Sequence, residues 1–334
     1  MTNVNIYQAE SRRYEAMPYH PVGRSGLRFP AVSLGFWHNF GSRDSYDNMR
    51  AMARTAFDHG ITQFDLANNY GPAYGSAEES LGRLLRDDFM PYREELVITT
   101  KAGYDMWEGP YGDGGSRKYL MSSLDQSLRR MGLDYVDIFY HHRMDPDTPL
   151  EESLQALADI VRQGKALYAG VSNYNEEYTR RAIGFFREQH CPFVVNQRAY
   201  SIFNREIERD GVKELCAREG LGIIAFSPLA QGLLTDKYLK GIPADSRMGR
   251  DPRFLTASAR TEERLGQIDA LNRIAQRRGQ TLAQMALSWV LRDGKVCSVL
   301  IGASRPEQIV ENISAAARTE FSPEELAEID KIAG

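Results

Sequence analysis

Along the chain, short runs rich in Val, Ile and Phe alternate with longer stretches in which apolar residues recur every three or four positions. The short runs fall at Val32–Leu34, Gln63–Leu66, Leu96–Thr100, Asp137–Tyr140, Ala166–Val171, Phe193–Asn196, Gly222–Phe226 and Ser298–Ile301. Runs this brief predict strands buried on both faces, as in a parallel sheet. The longer stretches, Asp44–His59, Ala77–Arg86, Arg117–Met131, Leu150–Gln163, Glu176–Gln189, Asp210–Glu219 and Thr281–Leu291, predict amphipathic helices. Strands separated by helices build parallel βαβ units, and eight of them predict an α/β fold of the (β/α)8 TIM-barrel type. No GxGxxG follows the first strand, which speaks against an open dinucleotide-binding sheet.

Three segments add to a minimal barrel. Residues 19–28 place a Gly-containing turn between short extended pieces, predicting an N-terminal β-hairpin. About seventy residues separate the seventh and eighth strands, far more than one helix needs. That stretch predicts a long loop starting near Lys240–Arg253 and an extra helix from about Glu262, together occupying about 235–280. The tail begins Ser322-Pro323-Glu324-Glu325, a capping box that predicts a last helix. With no linker or repeat, residues 1–334 are expected to form one domain.

Composition narrows the class. Of 334 residues, 42% are hydrophobic and 26% charged, which suits a globular protein and excludes collagen-like or disordered chains. Forty-one basic residues against 45 acidic leave a net charge of -4, so no nucleic-acid partner is expected. Cys191, Cys216 and Cys297 show no CxxC spacing, which predicts neither a disulfide framework nor a metal site. No run approaches a membrane span and no signal peptide is evident, so the expected location is cytoplasmic, away from membranes.

In a barrel, the residues that end strands face the active site. Those positions hold Asp65, Lys101, His142, Ser172, Asn173, Gln197, Phe226, Ser227 and Ser304, with Tyr70 just downstream of Asp65. Taken singly, each has a plain structural explanation, such as a helix cap or a satisfied loop histidine. Together they are the parts of a carbonyl-protonating device. A phenol with an ordinary pKa of about 10 needs help to exchange protons near neutrality. A lysine ammonium is expected to lower it, an aspartate to hold the lysine, and a histidine NH to polarise the carbonyl oxygen. Alternatively, Lys101 alone could form a Schiff base, which would leave Asp65 and Tyr70 without a task.

The motifs FDLANNY, VITTK, DIFYHHR, GVSNY, SPLAQGLLTDKY and GASRPEQIVENI, in this order, resemble the aldo-keto reductase superfamily. The resemblance runs from about Tyr19 to the C-terminus. It is strongest to the branch holding potassium channel β subunits and bacterial L-glyceraldehyde 3-phosphate reductases, with the latter favoured by MPYHPVGRSGLRFPAVSLGFWHNFG. It implies NADP(H)-dependent reduction of small aldehydes such as L-glyceraldehyde 3-phosphate and methylglyoxal. Tyr70 is then the general acid, tuned by Lys101 and Asp65, with His142 orienting the substrate. The resemblance further implies that Ser172, Asn173 and Gln197 hold the nicotinamide amide and Phe226 stacks on its ring. Ser227, Leu229, Gln231 and Lys237 would line the pyrophosphate. Gly302, Ser304, Gln308, Glu311 and Asn312 would bind the adenosine end.

Ser304-Arg305-Pro306-Glu307 also reads as a capping box, and free NH groups at a helix start attract anions. Arg305 and Arg247 are therefore candidates for a 2′-phosphate. Trp37, Trp107, Tyr70 and Tyr111 are expected to form an aromatic mouth for the substrate, with Arg143, Arg117 or Lys118 supplying a cation. A cofactor-sensing channel β subunit with vestigial catalysis is the competing expectation. Channel β subunits carry asparagine at the position of His142, so the histidine favours a working enzyme. The same resemblance implies a homotetramer or octamer.

Overall fold

The structure, a computed structural model, describes residues 7–235 and 261–334. Strands β3 (Val32–Gly35), β4 (Gln63–Asp65), β5 (Val97–Ala102) and β6 (Val136–His141) are followed by β7 (Ala166–Ser172), β8 (Phe193–Ala199), β9 (Gly222–Phe226) and β10 (Ser298–Ile301). Each pairs in parallel with the next, and β10 closes on β3, completing the expected (β/α)8 barrel. Nearly every strand residue is buried, since helices cover the outer face and side chains fill the lumen.

Helices α1 (Tyr46–Asp58), α2 (Ser76–Leu84), α3 (Arg117–Met131), α4 (Leu150–Arg162) and α5 (Glu176–Glu188) wrap the first half of the barrel. The starts of α1, α3 and α5 are fixed by Ser45, Ser116 and Asn175, whose side chains accept from backbone NH groups three residues on. The remaining helices are α6 (Glu206–Arg209), α7 (Val212–Glu219), α8 (Glu262–Arg277), α9 (Leu282–Leu291), α10 (Pro306–Ile313) and α11 (Pro323–Ala333). The Ser322/Glu325 capping box at α11 is formed as expected, and Thr281 with Gln284 makes a second one at α9. Helix α9 is buried almost throughout, with Met285, Leu287 and Trp289 inaccessible.

Two helices depart from expectation. The stretch expected as Ala77–Arg86 stops at Leu84 and continues as a π turn, Leu85–Phe89, and a 3-10 turn, Met90–Glu95. Buried Asp88 there accepts from both Arg50 and Arg54, and Pro91 supplies no NH to continue an α ladder. The helix expected as Asp210–Glu219 starts only at Val212, because Gly211 turns left-handed at φ +81°, and the separate short helix Glu206–Arg209 precedes it. Neither change displaces a strand end. The loop expected near Lys240–Arg253 lies outside the described residues.

The hairpin of β1 (Tyr19–Pro21) and β2 (Arg28–Pro30) extends to residue 30, two positions beyond the expected 28. It seals the N-terminal end of the barrel. Val22 and Phe29 are inaccessible and pack with Ile138, Val195, Ile224 and Cys297 of the lumen. The His20 ring bonds the Cys297 carbonyl, and Arg24 N donates to the Gly220 carbonyl at 2.9 Å. Gly23, at φ +55°, is required, since a Cβ there would lie 2.1 Å from that same carbonyl oxygen. The lumen is therefore open at the C-terminal end of the strands only, among the described residues.

Candidate active site

The strand ends open into a cavity of about 1250 Å³. At its base the period-two alternation of β5 turns Thr99 and Lys101 toward Asp65, while Thr100 points outward and donates to Glu78. Lys101, inaccessible to solvent, donates from Nζ to Asp65 Oδ2 at 2.5 Å and to the Leu66 carbonyl at 2.7 Å. Asp65 Oδ1 accepts from Thr99 Oγ1 at 2.7 Å and from Gln197 Nε2 at 3.0 Å. Both charges are thus paired and both carboxylate oxygens are satisfied, as burial demands. Burial pulls the Lys101 pKa below its usual value, and the Asp65 charge opposes that shift.

Tyr70 stands over this pair, with Lys101 Nζ 5.0 Å from its ring centroid. The expectation that the lysine lowers the phenol's pKa is not met. Burial first, then the charge of Asp65 and the neighbouring Tyr104, push Tyr70 well above 10.0. The ammonium's field is largely spent on the carboxylate it touches. The result is a phenol that keeps its proton through neutrality, which suits a donor.

His142 follows β6 directly, and its ring centroid lies 5.8 Å from that of Tyr70. Burial, reinforced by Lys101, drives the imidazole pKa well below 6.5, so the ring is neutral at pH 7. Its Nδ1 is buried without a partner. A ring proton therefore has a use only on Nε2, the tautomer that can donate to a ligand in the cavity His142 lines.

A second arm of the cavity runs from the barrel mouth toward α9 and α10. Ser172 Oγ donates to the Gln197 carbonyl at 3.0 Å, and Asn173 Nδ2 donates to the His142 carbonyl at 3.1 Å. Phe226, Ser227, Leu229 and Gln231 continue the wall, and Gln231 Oε1 is a buried acceptor without a partner. Six non-glycine residues adopt positive φ among the described residues, and Asn39, Asn173, Ser227 and Gln231 of these line this cavity. Such conformations are held against their steric cost, and they cluster where ligands bind.

Gly302, Ser304, Arg305, Gln308, Glu311 and Asn312 line the far end, with Gln308, Glu311 and Asn312 on one face of α10. The cap there differs from expectation. The N-cap of α10 is Arg305, with no side-chain cap bond, and Ser304 lies one position earlier. Gln308 reaches back instead, its Oε1 accepting from Ser304 N at 2.8 Å. The register shifts because Pro306, fixed in φ and lacking an NH, takes the first helical position. Asn272, Gln276, Gln280 and Thr281 also line this end and were not anticipated. Their readable signal was the polar i, i+4 spacing of Asn272, Gln276 and Gln280.

The aromatic mouth is only partly as expected. Trp37 lines the cavity with its ring 6.4 Å from Tyr70. Trp107 does not line it, because its ring packs on Tyr119 at 5.1 Å, and Tyr111 is 56% exposed outside it. Tyr104 takes the place expected for Trp107. The three candidate cations also point elsewhere. Arg143 binds Asp113, Arg117 binds Asp159, and Lys118 lies over the Tyr111 ring. Among the described residues, Arg305 is the lysine or arginine lining the cavity, 59% exposed and 3.7 Å from Glu307. Lys237 and Arg247 lie outside the described residues.

Among the described residues, no His, Cys, Asp or Glu cluster could hold a metal ion, and no helix is long and apolar enough to cross a membrane. The arrangement can do one thing well. It presents a protonated phenol and a neutral imidazole to the same oxygen, beside a long groove with polar ends. The cavity exceeds the ~300–1,000 Å³ typical of drug-sized ligand sites, which leaves room for a ligand longer than a small aldehyde.

Comparison with known proteins agrees with this geometry. The sequence model described as "Aldo/keto reductase family" matches residues 31–333. The chain is 56% identical over 329 residues to L-glyceraldehyde 3-phosphate reductase of Escherichia coli strain K12, covering 98% of this chain and 95% of that protein. It is 36% identical over 304 residues to a probable voltage-gated potassium channel subunit beta of Oryza sativa subsp. japonica, covering 90% and 91%. Among solved structures, a thermostable aldo-keto reductase in complex with the inhibitor epalrestat superposes with a TM-score of 0.74. It shares 31% identity, over 95% of this chain and 100% of that one.

Proposed function

The chain belongs to the aldo/keto reductase family, and from that premise we propose that it is an NADPH-dependent reductase of short aldehydes, acting on L-glyceraldehyde 3-phosphate and also on methylglyoxal. The observation that carries the reading is the buried Asp65–Lys101 pair beneath Tyr70 with His142 opposite. Substrate preference follows the 56% identity to the bacterial reductase.

Ser172, Asn173 and Gln197 would meet the polar edge of a nicotinamide, and Phe226 its face. Ser227, Leu229 and Gln231 would follow the pyrophosphate, and Gln308, Glu311 and Asn312 the adenosine. A reduced nicotinamide supplies hydride to the aldehyde carbon. Tyr70 holds the proton that passes to the carbonyl oxygen as its charge develops. His142 donates from Nε2 to the same oxygen and fixes its approach. Lys101 and Asp65 hold a fixed dipole beneath the phenol, in a site that water does not screen. By resemblance the assembly is a homotetramer or a pair of stacked tetramers, in the cytoplasm.

The test follows NADPH absorbance with L-glyceraldehyde 3-phosphate, its D-enantiomer and methylglyoxal. Turnover of the L-enantiomer faster than the D-enantiomer is the expected result. Tight NADPH binding with no turnover of any aldehyde would overturn the reading in favour of a cofactor sensor. A further expectation concerns Arg305, which would pair with the cofactor's 2′-phosphate. Arg305→Ala should weaken NADPH binding by about tenfold more than NADH binding, the effect of one charge-assisted contact of about 1.4 kcal/mol. Fluorescence titration with both nucleotides measures it, and equal losses would remove Arg305 from the 2′-phosphate site.

A further inference from the structure

His142 must hold its ring at a fixed angle, yet the usual means is missing. Buried ligating or donating histidines are commonly oriented by a hydrogen bond to the second ring nitrogen. Here Nδ1 is buried with no partner. Aromatic contacts take over. Tyr70 meets the imidazole at 69° and 5.8 Å, and Tyr104 meets it edge to face at 89° and 4.7 Å. Two rings on a third can fix its plane without any polar bond.

Tyr104 would be a poor brace if it sat on a free loop, but it is held from behind. The Arg143 guanidinium lies 4.7 Å over its ring. Arg143 Nε donates to the Gly103 carbonyl at 2.7 Å, and one terminal nitrogen donates to both Asp113 oxygens, at 2.9 and 3.0 Å. Tyr119 Oη donates to the Tyr104 carbonyl, and Asn68 Nδ2 donates to that hydroxyl at 3.0 Å. Gly103, at φ +152°, brings the loop close enough that a Cβ there would sit 3.0 Å from His142 Cβ. Arg143 follows His142 directly in the chain, so one turn carries both the imidazole and its brace.

We propose that Arg143 is a positioning residue for the reductase reaction, locking the plane of the His142 ring by clamping Tyr104 against it and tying that clamp to Asp113 of the 104–116 loop. The inference rests on the role of His142 stated above. It accounts for why Arg143, adjacent to the site in sequence, is turned away from the cavity. Its guanidinium is used as a flat plate with a fork at its rim, a shape that lysine cannot reproduce.

Arg143→Lys keeps the charge and removes the plate, so it separates geometry from electrostatics. Two readouts are taken on the full chain. Steady-state kinetics should show kcat down about tenfold with KM altered less than twofold, as expected when a donor is misaligned and the substrate still binds. Nitrogen-15 NMR of the imidazole should show one neutral tautomer for His142 in the wild type, and exchange-averaged nitrogen shifts in Arg143→Lys. Tyr104→Phe, which retains the ring, should keep the wild-type imidazole signal, and Tyr104→Leu should lose it. An unchanged His142 signal in both Arg143→Lys and Tyr104→Leu would overturn the clamp. Failure of the wild type to reduce any aldehyde would sink the proposed function instead, and the NMR comparison would still decide the clamp.

Discussion

Tyr70→Phe should lower the rate of aldehyde reduction by about 10²–10⁴-fold, the usual contribution of one positioned acid, with NADPH affinity close to wild type. The substitution removes one oxygen and leaves the ring, so its packing beside Trp37 and His142 persists. Stopped-flow or steady-state NADPH oxidation measures the loss, and nucleotide fluorescence measures the binding. A variant that retained most of its turnover would show that the oxygen is protonated from elsewhere. The pH dependence follows from the same environment. Tyr70 donates only while protonated, and its pKa is raised above 10.0. His142 acts as a neutral donor, and its pKa is depressed below 6.5. Reduction should therefore show neither an acid limb near 6.5 nor an alkaline limb below 10.0 from these two groups. A limb at either position in kcat/KM would contradict the assignment.

The second large effect is on stability. Asp65→Asn leaves the Lys101 ammonium inaccessible and without its counter-charge. Breaking a buried pair on one side costs about 3–5 kcal/mol, because the remaining ion keeps its desolvation penalty. The urea midpoint should fall accordingly, with an unchanged slope. Replacing both partners, Asp65→Asn with Lys101→Met, removes the stranded charge and should recover most of that stability. Reductase activity should stay lost in both variants. This split would show that the pair is kept for the chemistry and adds little net stability to the fold. A single variant within about 1 kcal/mol of wild type would mean that water or a rearranged Gln197 already compensates the lysine.

The eight strands and the residues that end them were legible in the sequence. Parallel strands buried on both faces leave unbroken apolar runs, and a charged residue closing such a run stands out, as Asp65 does after QF and Lys101 after VITT. Less legible were features set by tertiary contacts. Trp107 and Tyr104 are both aromatics on one loop, and only packing on Tyr119 decides which faces the cavity. The break after Leu84 depends on Arg50 and Arg54, more than thirty residues away, meeting Asp88. Ser304 missed its cap by one residue because the proline rule and the capping-box rule competed, and proline prevailed. The sign of the Tyr70 shift could not be read at all. A lysine near a tyrosine lowers its pKa only if the lysine's charge is not already committed, and that is a fact of geometry.

The hairpin under the barrel also bears on how ligands would reach the site. With the lumen plugged by Val22 and Phe29, both arms of the cavity are reached, among the described residues, from the same end of the barrel. Under the proposed function, a nucleotide in the groove toward α10 and an aldehyde beside Trp37, Tyr70 and Tyr104 would share that entrance. Excess aldehyde at that entrance would then crowd the exchange of nucleotide. Product-inhibition patterns at high substrate would carry the imprint of a turn of backbone at the opposite end of the molecule.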